Sequence, residues 1–288
     1  MKKSLSLLLA GLLFLPLSLR AGPRESSPQN QKTKTSDPQK KGNVIGHFWS
    51  DHARILSSPL RVKPRDLWVI APVGILSAVL IHNDETIYRK IKNFQAQNPA
   101  VDQASPIFSN MCQGMPFGVA GLFILEGIIF KDNKGLQTGS MALQAMMHSF
   151  VVVQLAKHLT GRTRPSFTDG RDHWAGPAGF FKRYEEGQWA YYDAYFSGHT
   201  ITIWALATVV AKSYNQKPFI PILCYTLASL GGMATVTEDL HWVSDVFLGA
   251  VAGYAIASFV MKQHEKRNLQ ITPVMQPRGL GINLTLKF

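Results

Sequence analysis

A histidine stands at the beginning of an apolar helix pattern in the stretch YFSGHTITIW, residues 195–204. A protonated His199 would there face the positive end of the helix dipole, which is unfavourable unless an anion is bound. The free backbone N–H groups of a helix start do bind anions. We therefore expect Ser197 to cap the helix, Gly198 to let an anion approach the backbone, and His199 to donate a proton beside it. The alternative is a plain serine cap with an incidental histidine.

A second group of chemical residues is the run KHLTGRTRP, which contains Lys157, Arg162 and Arg164. Gly161 and Pro165 break the preceding helix, so the three cations spread around a turn. Guanidinium groups bind phosphate through paired hydrogen bonds, which favours a phosphate site. The alternative is a solvated helix C-terminus, where cations are favourable in any case.

The third group is HWVSD, in which His241 and Asp245 are four residues apart at the start of a predicted helix. Residues at this spacing share a helix face, so the carboxylate of Asp245 is expected to accept a hydrogen bond from one ring nitrogen of His241. This contact would direct the other nitrogen outward as a nucleophile or base. The alternative is a contact on the helix surface without chemistry.

The elements that must position these groups are six apolar stretches bounded by Pro, Gly, Asn or charged residues. The stretches cover residues 67–82, 116–130, 138–156, 200–212, 218–236 and 243–261. In an up-and-down bundle, one side of the bundle collects four helix termini. These are the C-terminus of the third helix, the N-terminus of the fourth, the C-terminus of the fifth and the N-terminus of the sixth. The predicted fold is all-α, a membrane-embedded six-helix bundle, although several stretches are shorter than the ~20 residues of a membrane span.

The three groups, in this order and spacing, resemble the type 2 phosphatidic acid phosphatase / vanadium haloperoxidase superfamily over residues 67–261. The family pattern is Lys-x6-Arg-Pro, then Pro-Ser-Gly-His, then Ser-Arg-x5-His-x3-Asp. The resemblance implies phosphoester hydrolysis without a metal or another cofactor. It implies that His241 attacks phosphorus to form a phosphohistidine, that Asp245 orients it, and that His199 protonates the leaving group. The phosphate-binding groups implied are Lys157, Arg164, Ser197 and the amide of Gly198.

Two positions depart from this pattern. Phe196 replaces the proline of the second motif, a residue that shapes a turn. The Ser-Arg pair falls on Ala234 and Thr235, so one phosphate-binding arginine is missing, at a cost of about 2–4 kcal/mol of transition-state stabilisation. The auxiliary groups that the sequence offers in its place are Arg162, Thr235, His158 and Arg171.

Composition restricts the partners. The 288 residues carry a formal net charge of +12, with 46% hydrophobic and 17% charged residues, which favours anionic lipids or phosphorylated substrates. The sequence has neither zinc-finger spacing nor an aromatic RNA-binding pattern, so nucleic acid is not an expected partner. The two cysteines, Cys112 and Cys224, make neither a zinc site nor a disulfide framework.

The predicted organisation has five segments. Residues 1–21 resemble a signal peptide, and residues 22–43 have the composition of a disordered tether. Residues 44–66 hold an amphipathic helix and a connection, residues 67–262 the helical domain, and residues 263–288 a tail. Residues 281–288 of the tail predict one short strand without a partner strand.

The predicted function is hydrolysis of a lipid phosphate or pyrophosphate in the bacterial envelope. The alternatives are a periplasmic acid phosphatase for soluble phosphomonoesters, a vanadate-dependent haloperoxidase with His241 as the vanadate ligand, and a catalytically impaired phosphate-binding protein. Basic residues flank the bundle end opposite the motifs, so an inner-membrane protein would present its site to the periplasm. A periplasmic, membrane-associated protein is the alternative to this location.

Overall fold

The computed structural model of the protein describes residues 44–185, 187, 190–267, 269–276 and 279–286. The predicted signal peptide and tether lie outside these residues. The described residues form nine α-helices and two strands. The helices are α1 (Val44–Leu56), α2 (Leu67–Gln97), α3 (Pro99–Met111), α4 (Met115–Ile129), α5 (Asn133–Thr160), α6 (Pro177–Glu185), α7 (Gly198–Ser213), α8 (Phe219–Thr237) and α9 (Val243–Arg267). The strands are β1 (Leu269–Gln276) and β2 (Gly279–Leu286).

All six apolar stretches lie in helices, namely α2, α4, α5, α7, α8 and α9. The predicted amphipathic helix is also present as α1. The prediction of six bundle helices was too low, because it missed α3 and the short α6. Helix α3 buries Ser105 and Ser109 and pairs Ser105 with Thr237 of α8 through their hydroxyls, at 2.6 Å. Pro99 and Pro106 mark this stretch as a connection, because proline commonly interrupts a helix pattern.

Helix α7 forms the centre of the bundle. Most of its length is buried, and it packs against α5, α8 and α9. Glycines on α9 allow the closest of these approaches, since a Cβ atom at Gly253 would lie 2.5 Å from the carbonyl oxygen of Ile201. This packing fixes the start of α9 beside the start of α7, where the N–H of Ser197 donates to the carbonyl oxygen of Asp245 at 3.1 Å.

Several helices fit a membrane-embedded bundle. Among the described residues, four segments are long and apolar enough to cross a membrane: Pro64–Gln97, Asn133–Thr160, Phe219–Thr237 and Val243–Arg267. The pair α3 and α4, bent by 49°, passes the same test as one broken span. Large apolar side chains lie on the outer surface of the bundle, as at Trp68, which is 85% exposed.

The C-terminal tail differs from its prediction. Strands β1 and β2 pair as an antiparallel hairpin, with Leu269 opposite Leu286 and Gln276 opposite Gly279. The prediction of a single strand without a partner was therefore wrong, and the all-α class holds for the bundle but not for this hairpin. Pro273 made the first strand resemble a linker, although a proline is tolerated in an edge strand that needs no N–H donor at that position.

Candidate active site

The end of α5 places the first cations. Gly161 ends the helix with a left-handed backbone, φ 52° and ψ 38°, and its N–H donates to the carbonyl oxygen of Lys157 at 3.0 Å. Lys157 therefore lies in the last turn of α5, and Arg164 lies in the loop that follows. Their side chains meet at one carboxylate. Lys157 Nζ lies 3.0 Å from Oδ1 of Asp193, and Arg164 Nη2 lies 2.8 Å from its Oδ2.

These residues line a cavity of about 450 Å³. Polar and charged lining comes from Lys157, Arg164, Asp193, Gly198 and His199, and apolar lining from Phe150, Val153, Ile201 and Leu240. Nε of Arg164 is buried and has no hydrogen-bond partner within the part of the chain that the structure describes. A buried N–H without a partner in a cavity wall is a donor that an anion would satisfy.

The start of α7 has the predicted cap. Ser197 is fully buried, and its Oγ accepts hydrogen bonds from the N–H of Thr200 at 3.2 Å and from the hydroxyl of Thr200 at 2.8 Å. Gly198 and His199 follow at the cavity wall. A Cβ atom at Gly198 would lie 3.7 Å from Nζ of Lys157, so this glycine brings the helix start close to a cation.

The two histidines meet beside the cavity. Nδ1 of His241 lies 2.8 Å from the carbonyl oxygen of Ala194, and its Nε2 lies 3.4 Å from Nδ1 of His199. A carbonyl oxygen only accepts, so Nδ1 of His241 carries the proton and its Nε2 carries a lone pair. This tautomer is the one that a nucleophilic Nε2 requires. His241 is fully buried, with His199 adjoining the cavity.

His241 and Asp245 do not form the expected hydrogen bond, because each side chain bonds to other groups. Nδ1 of His241 and Oδ2 of Asp245 are 4.0 Å apart. Oδ2 instead accepts from the N–H of Trp242 at 3.0 Å, and Oδ1 accepts from Nη1 of Arg162 at 2.7 Å. The backbone amide and the guanidinium offer the carboxylate direct donors, while the ring nitrogen is already bonded to Ala194. Asp245 therefore lies next to His241 without a hydrogen bond to its ring.

Arg162 is the clearest correction to the sequence-based expectations. Its side chain is fully buried, and each of its five N–H donors has an acceptor: Asp172 twice, Asp84, Ser244 and Asp245. The guanidinium also lies over the ring of Trp174, at 4.5 Å from the centroid. No donor of this side chain remains for a phosphate, so Arg162 does not replace the missing arginine.

The other auxiliary groups do not reach the cavity either. The hydroxyl of Thr235 donates to the carbonyl oxygen of Gly232 at 2.7 Å, and the side chain is fully buried. Its carbonyl oxygen accepts from the N–H groups of Leu240 and His241, which fixes the backbone at His241. Neither His158 nor Arg171 is among the described residues that line the cavity.

Burial and nearby positive charge favour the neutral form of both histidines by lowering their pKa. Burial, followed by the charges of Arg164 and Lys157, lowers the pKa of His199 to about 4. Burial and the same two cations hold the pKa of His241 well below its ordinary value, although the hydrogen bond to Ala194 acts in the opposite direction. A neutral imidazole with a free lone pair is a nucleophile, and a neutral His199 gains a proton most readily when a phosphate dianion lies beside it.

Sequence reasoning missed several residues of this region. Asp193 and the carbonyl group of Ala194 precede the helix start without any motif that marks them. Asp84 and Asp172 lie far from one another in sequence, and both bind Arg162. Of these residues, only Asp84 could be noticed in the sequence, because it is a carboxylate that closely follows the apolar stretch of α2.

The chain is similar to several known proteins. The PAP2 superfamily model matches residues 138–269. A lipid A 1-phosphatase of Porphyromonas gingivalis is 27% identical over 289 residues, covering 94% of this chain and 54% of that protein. The chain thus spans about half the length of this curated relative. The crystal structure of Aquifex aeolicus LpxE is 22% identical, with a TM-score of 0.47, and the match covers 62% of this chain and 94% of that one. Residues 138–269, which hold all three groups of chemical residues, are thus similar to the PAP2 superfamily.

Proposed function

We propose that this protein hydrolyses a phosphate or pyrophosphate ester of a membrane lipid through a phosphohistidine at His241. One observation carries the proposal. Two neutral histidines from distant parts of the chain meet at 3.4 Å beside a cavity that is lined by Lys157 and Arg164. A phosphate bound to these cations would lie next to a nucleophile and a proton donor.

In the first step, Nε2 of His241 attacks phosphorus and the bond between phosphorus and the ester oxygen breaks. The electron pair of that bond goes to the leaving oxygen, which takes a proton from His199. The imidazole of His199 gains this proton from solvent when the substrate phosphate binds beside it. Nδ1 of His199 lies against Nε2 of His241 in the resting site. The ring of His199 therefore turns aside before phosphate reaches the nucleophile.

In the second step, water attacks the phosphohistidine. His199, now neutral, accepts a proton from this water while the bond between phosphorus and Nε2 breaks. Inorganic phosphate leaves, and both histidines return to their starting protonation states. The cycle uses the side chains of this chain and water, and it requires neither a metal nor a cofactor.

Lys157, Arg164, and the helix start at Ser197 and Gly198 hold the phosphate oxygens in this proposal. Lys157, Arg164 and Gly198 line the cavity, where two cations and a helix N-terminus would stabilise the charge that grows on these oxygens in the transition state. Asp245 is a positioning residue, because it contacts Trp242 next to the nucleophile and not the imidazole itself.

A lipid substrate is supported by the cavity wall and by the relative. Phe150, Val153 and Leu240 give the cavity an apolar side next to its cations. Helix α5, which carries Phe150, is also one of the segments that fit a membrane span. The lipid A 1-phosphatase similarity supports an amphiphilic phosphate ester over a soluble one.

The proposed location is the bacterial inner membrane, with the site facing the periplasm. Basic residues lie at the bundle end opposite the site, where α5 begins, α7 ends and α9 ends: Lys131, Lys134, Lys212, Lys217, Lys262, Lys266 and Arg267. Cytoplasmic ends of membrane helices carry such an excess of Lys and Arg.

The test is release of inorganic phosphate from lipid A and from p-nitrophenyl phosphate in detergent micelles. We expect the lipid to be the better substrate, and His241→Ala to lower kcat by about 10³-fold or more, because the nucleophile is lost. An acid-quenched reaction with radiolabelled lipid should trap label on the wild type and not on His241→Ala. His158→Ala is the matched control, since this histidine lies near the end of α5 and bonds to the carbonyl oxygen of Gln154. Unchanged turnover in His241→Ala would contradict the mechanism, and a preference for p-nitrophenyl phosphate would indicate the soluble substrate class.

A phosphate-binding protein with impaired catalysis is the second candidate. Thr235 stands at the position of the family arginine, and the geometry gives Arg162 no donor to replace it. Inorganic phosphate binding by the wild type, together with no phosphate release from either substrate, would favour this candidate.

A further inference from the structure

Asp193 is a carboxylate inside a site that is proposed to bind phosphate. Its two oxygens accept the contacts that a phosphate would use, from Lys157 at 3.0 Å and from Arg164 at 2.8 Å. Its side chain is 16% exposed and lines the same cavity as both cations. We propose that Asp193 is an internal anion that competes with phosphate for Lys157 and Arg164, and thereby sets the affinity of the site. This inference rests on the proposed phosphate site.

The competition between Asp193 and phosphate follows from the charges that line the cavity. The charged side chains that line the cavity are Lys157, Arg164 and Asp193, so the described lining has a formal charge of +1. Carboxylate and phosphate oxygens accept the same charge-assisted hydrogen bonds, and two anions on the same cations repel each other. Phosphate therefore binds as the carboxylate turns away, and it leaves as the carboxylate returns.

The backbone around Asp193 permits this exchange. The N–H of Arg164 donates to the carbonyl oxygen of Tyr191 at 3.1 Å, and the N–H of Ala194 donates to the carbonyl oxygen of Arg162 at 3.0 Å. These bonds hold the segment on both sides of Asp193 against the loop that carries Arg164. The carboxylate thus changes its contacts by side-chain rotation, while Ala194 continues to bind His241.

The absence of the family arginine explains what Asp193 contributes to the resting protein. With Thr235 at that position, the phosphate site rests on two cations, and burying these two together without an anion would be unfavourable in the resting protein. Asp193 neutralises one charge between turnovers. It also assists product release, because it replaces the departing phosphate on the same donors.

The experiment is titration calorimetry of purified full-length protein in detergent with inorganic phosphate. We expect Asp193→Asn to bind phosphate with a Kd about tenfold lower or more, because a like charge beside the bound anion is removed. Asp239→Asn is the matched control. This carboxylate pairs with Lys92 at 3.0 Å and lies outside the cavity lining, so its removal should leave the Kd of phosphate unchanged.

Equal or weaker phosphate binding by folded Asp193→Asn would overturn the proposal and assign Asp193 the role of positioning the cations. Asp193→Ser provides a second neutral variant if Asp193→Asn does not fold. Failure of both to fold would also overturn it, since a residue that only competes with phosphate is not needed for folding. If the wild type hydrolyses the substrate and Asp193→Asn binds phosphate with the same Kd as the wild type, this inference is refuted and the proposed function stands. If Asp193→Asn binds phosphate more tightly but the wild type hydrolyses no substrate, the proposed function is refuted and this inference stands.

Discussion

Two arginines lie two residues apart on one loop and have opposite environments. Arg162 is fully buried and has an acceptor for each of its five N–H donors. Arg164 shares a single carboxylate with Lys157, lines the cavity and has a buried Nε without a partner among the described residues. The difference teaches that an arginine binds a ligand through the donors that the fold leaves available, and not by its presence near a site.

The buried cluster around Arg162 has a structural role. Arg162 contacts Asp84 of α2, Asp172 of the loop and Asp245 of α9, which is one cation against three carboxylates. Ser244 adds hydrogen bonds to both Arg162 and Asp84. The cluster thus ties α2, the loop and the start of α9 together behind His241.

The largest expected effect is on folding, from Arg162→Met. Loss of the guanidinium leaves buried carboxylates without a cation, which should lower the free energy of unfolding by about 3–5 kcal/mol. Thermal unfolding in detergent would measure this as a large decrease in Tm. A variant with the Tm of the wild type would contradict the structural role of Arg162 and its contrast with Arg164.

Arg164→Gln should have the opposite signature. We expect kcat/KM for the lipid substrate to fall by about 10²–10³-fold, because a donor to the transition state is lost, while the Tm changes little. Arg171→Gln is the matched control, as an exposed cation on the same loop that lies outside the cavity lining. Equal kcat/KM values for the two variants would contradict a phosphate contact at Arg164.

Burial of His199, together with the neighbouring cations, also predicts a pH dependence of stability. The pKa of His199 is lowered from 6.5 to about 4 in the folded protein. The unfolded chain therefore binds a proton between these values that the folded chain does not, so stability falls as the pH decreases from 6.5 to 4. Melting curves should show a smaller decrease in Tm over this range for His199→Gln, with a remainder due to the other buried groups that titrate there, His241 among them. An unchanged slope would contradict the lowered pKa.

The smallest effect is expected from Thr235→Val. The hydroxyl of Thr235 bonds within its own helix and is absent from the cavity lining, so its removal should leave phosphate release within about twofold of the wild type. The cost to stability should be about 1 kcal/mol, the value of one hydrogen bond. A large decrease in kcat without a change in Tm would place this hydroxyl on the phosphate.

Prediction from sequence succeeded where the determining interactions are local. Apolar runs and their boundaries located α5, α7 and α9, and alternation of direction along the bundle brought His199 and His241 to the same end. The cap at Ser197 and the helix end at Gly161 also follow from neighbouring residues. The prediction missed α3 because Pro99 and Pro106 mark this stretch as a connection, whereas contacts with α8, such as Ser105 with Thr237, hold it as a helix.

The sequence by itself determined which residue types are available for the proposed phosphate chemistry, and on which helix ends they lie. Only the tertiary structure decided the partners of each charged group. Asp84 binds Arg162 across 78 residues, Ala194 takes the ring nitrogen of His241 that Asp245 was expected to take, and Asp193 lies on the two cations of the cavity. The physical reason is range: capping and helix periodicity act within a turn or two, whereas a buried ion selects the nearest counter-ion in space, wherever it lies in the sequence.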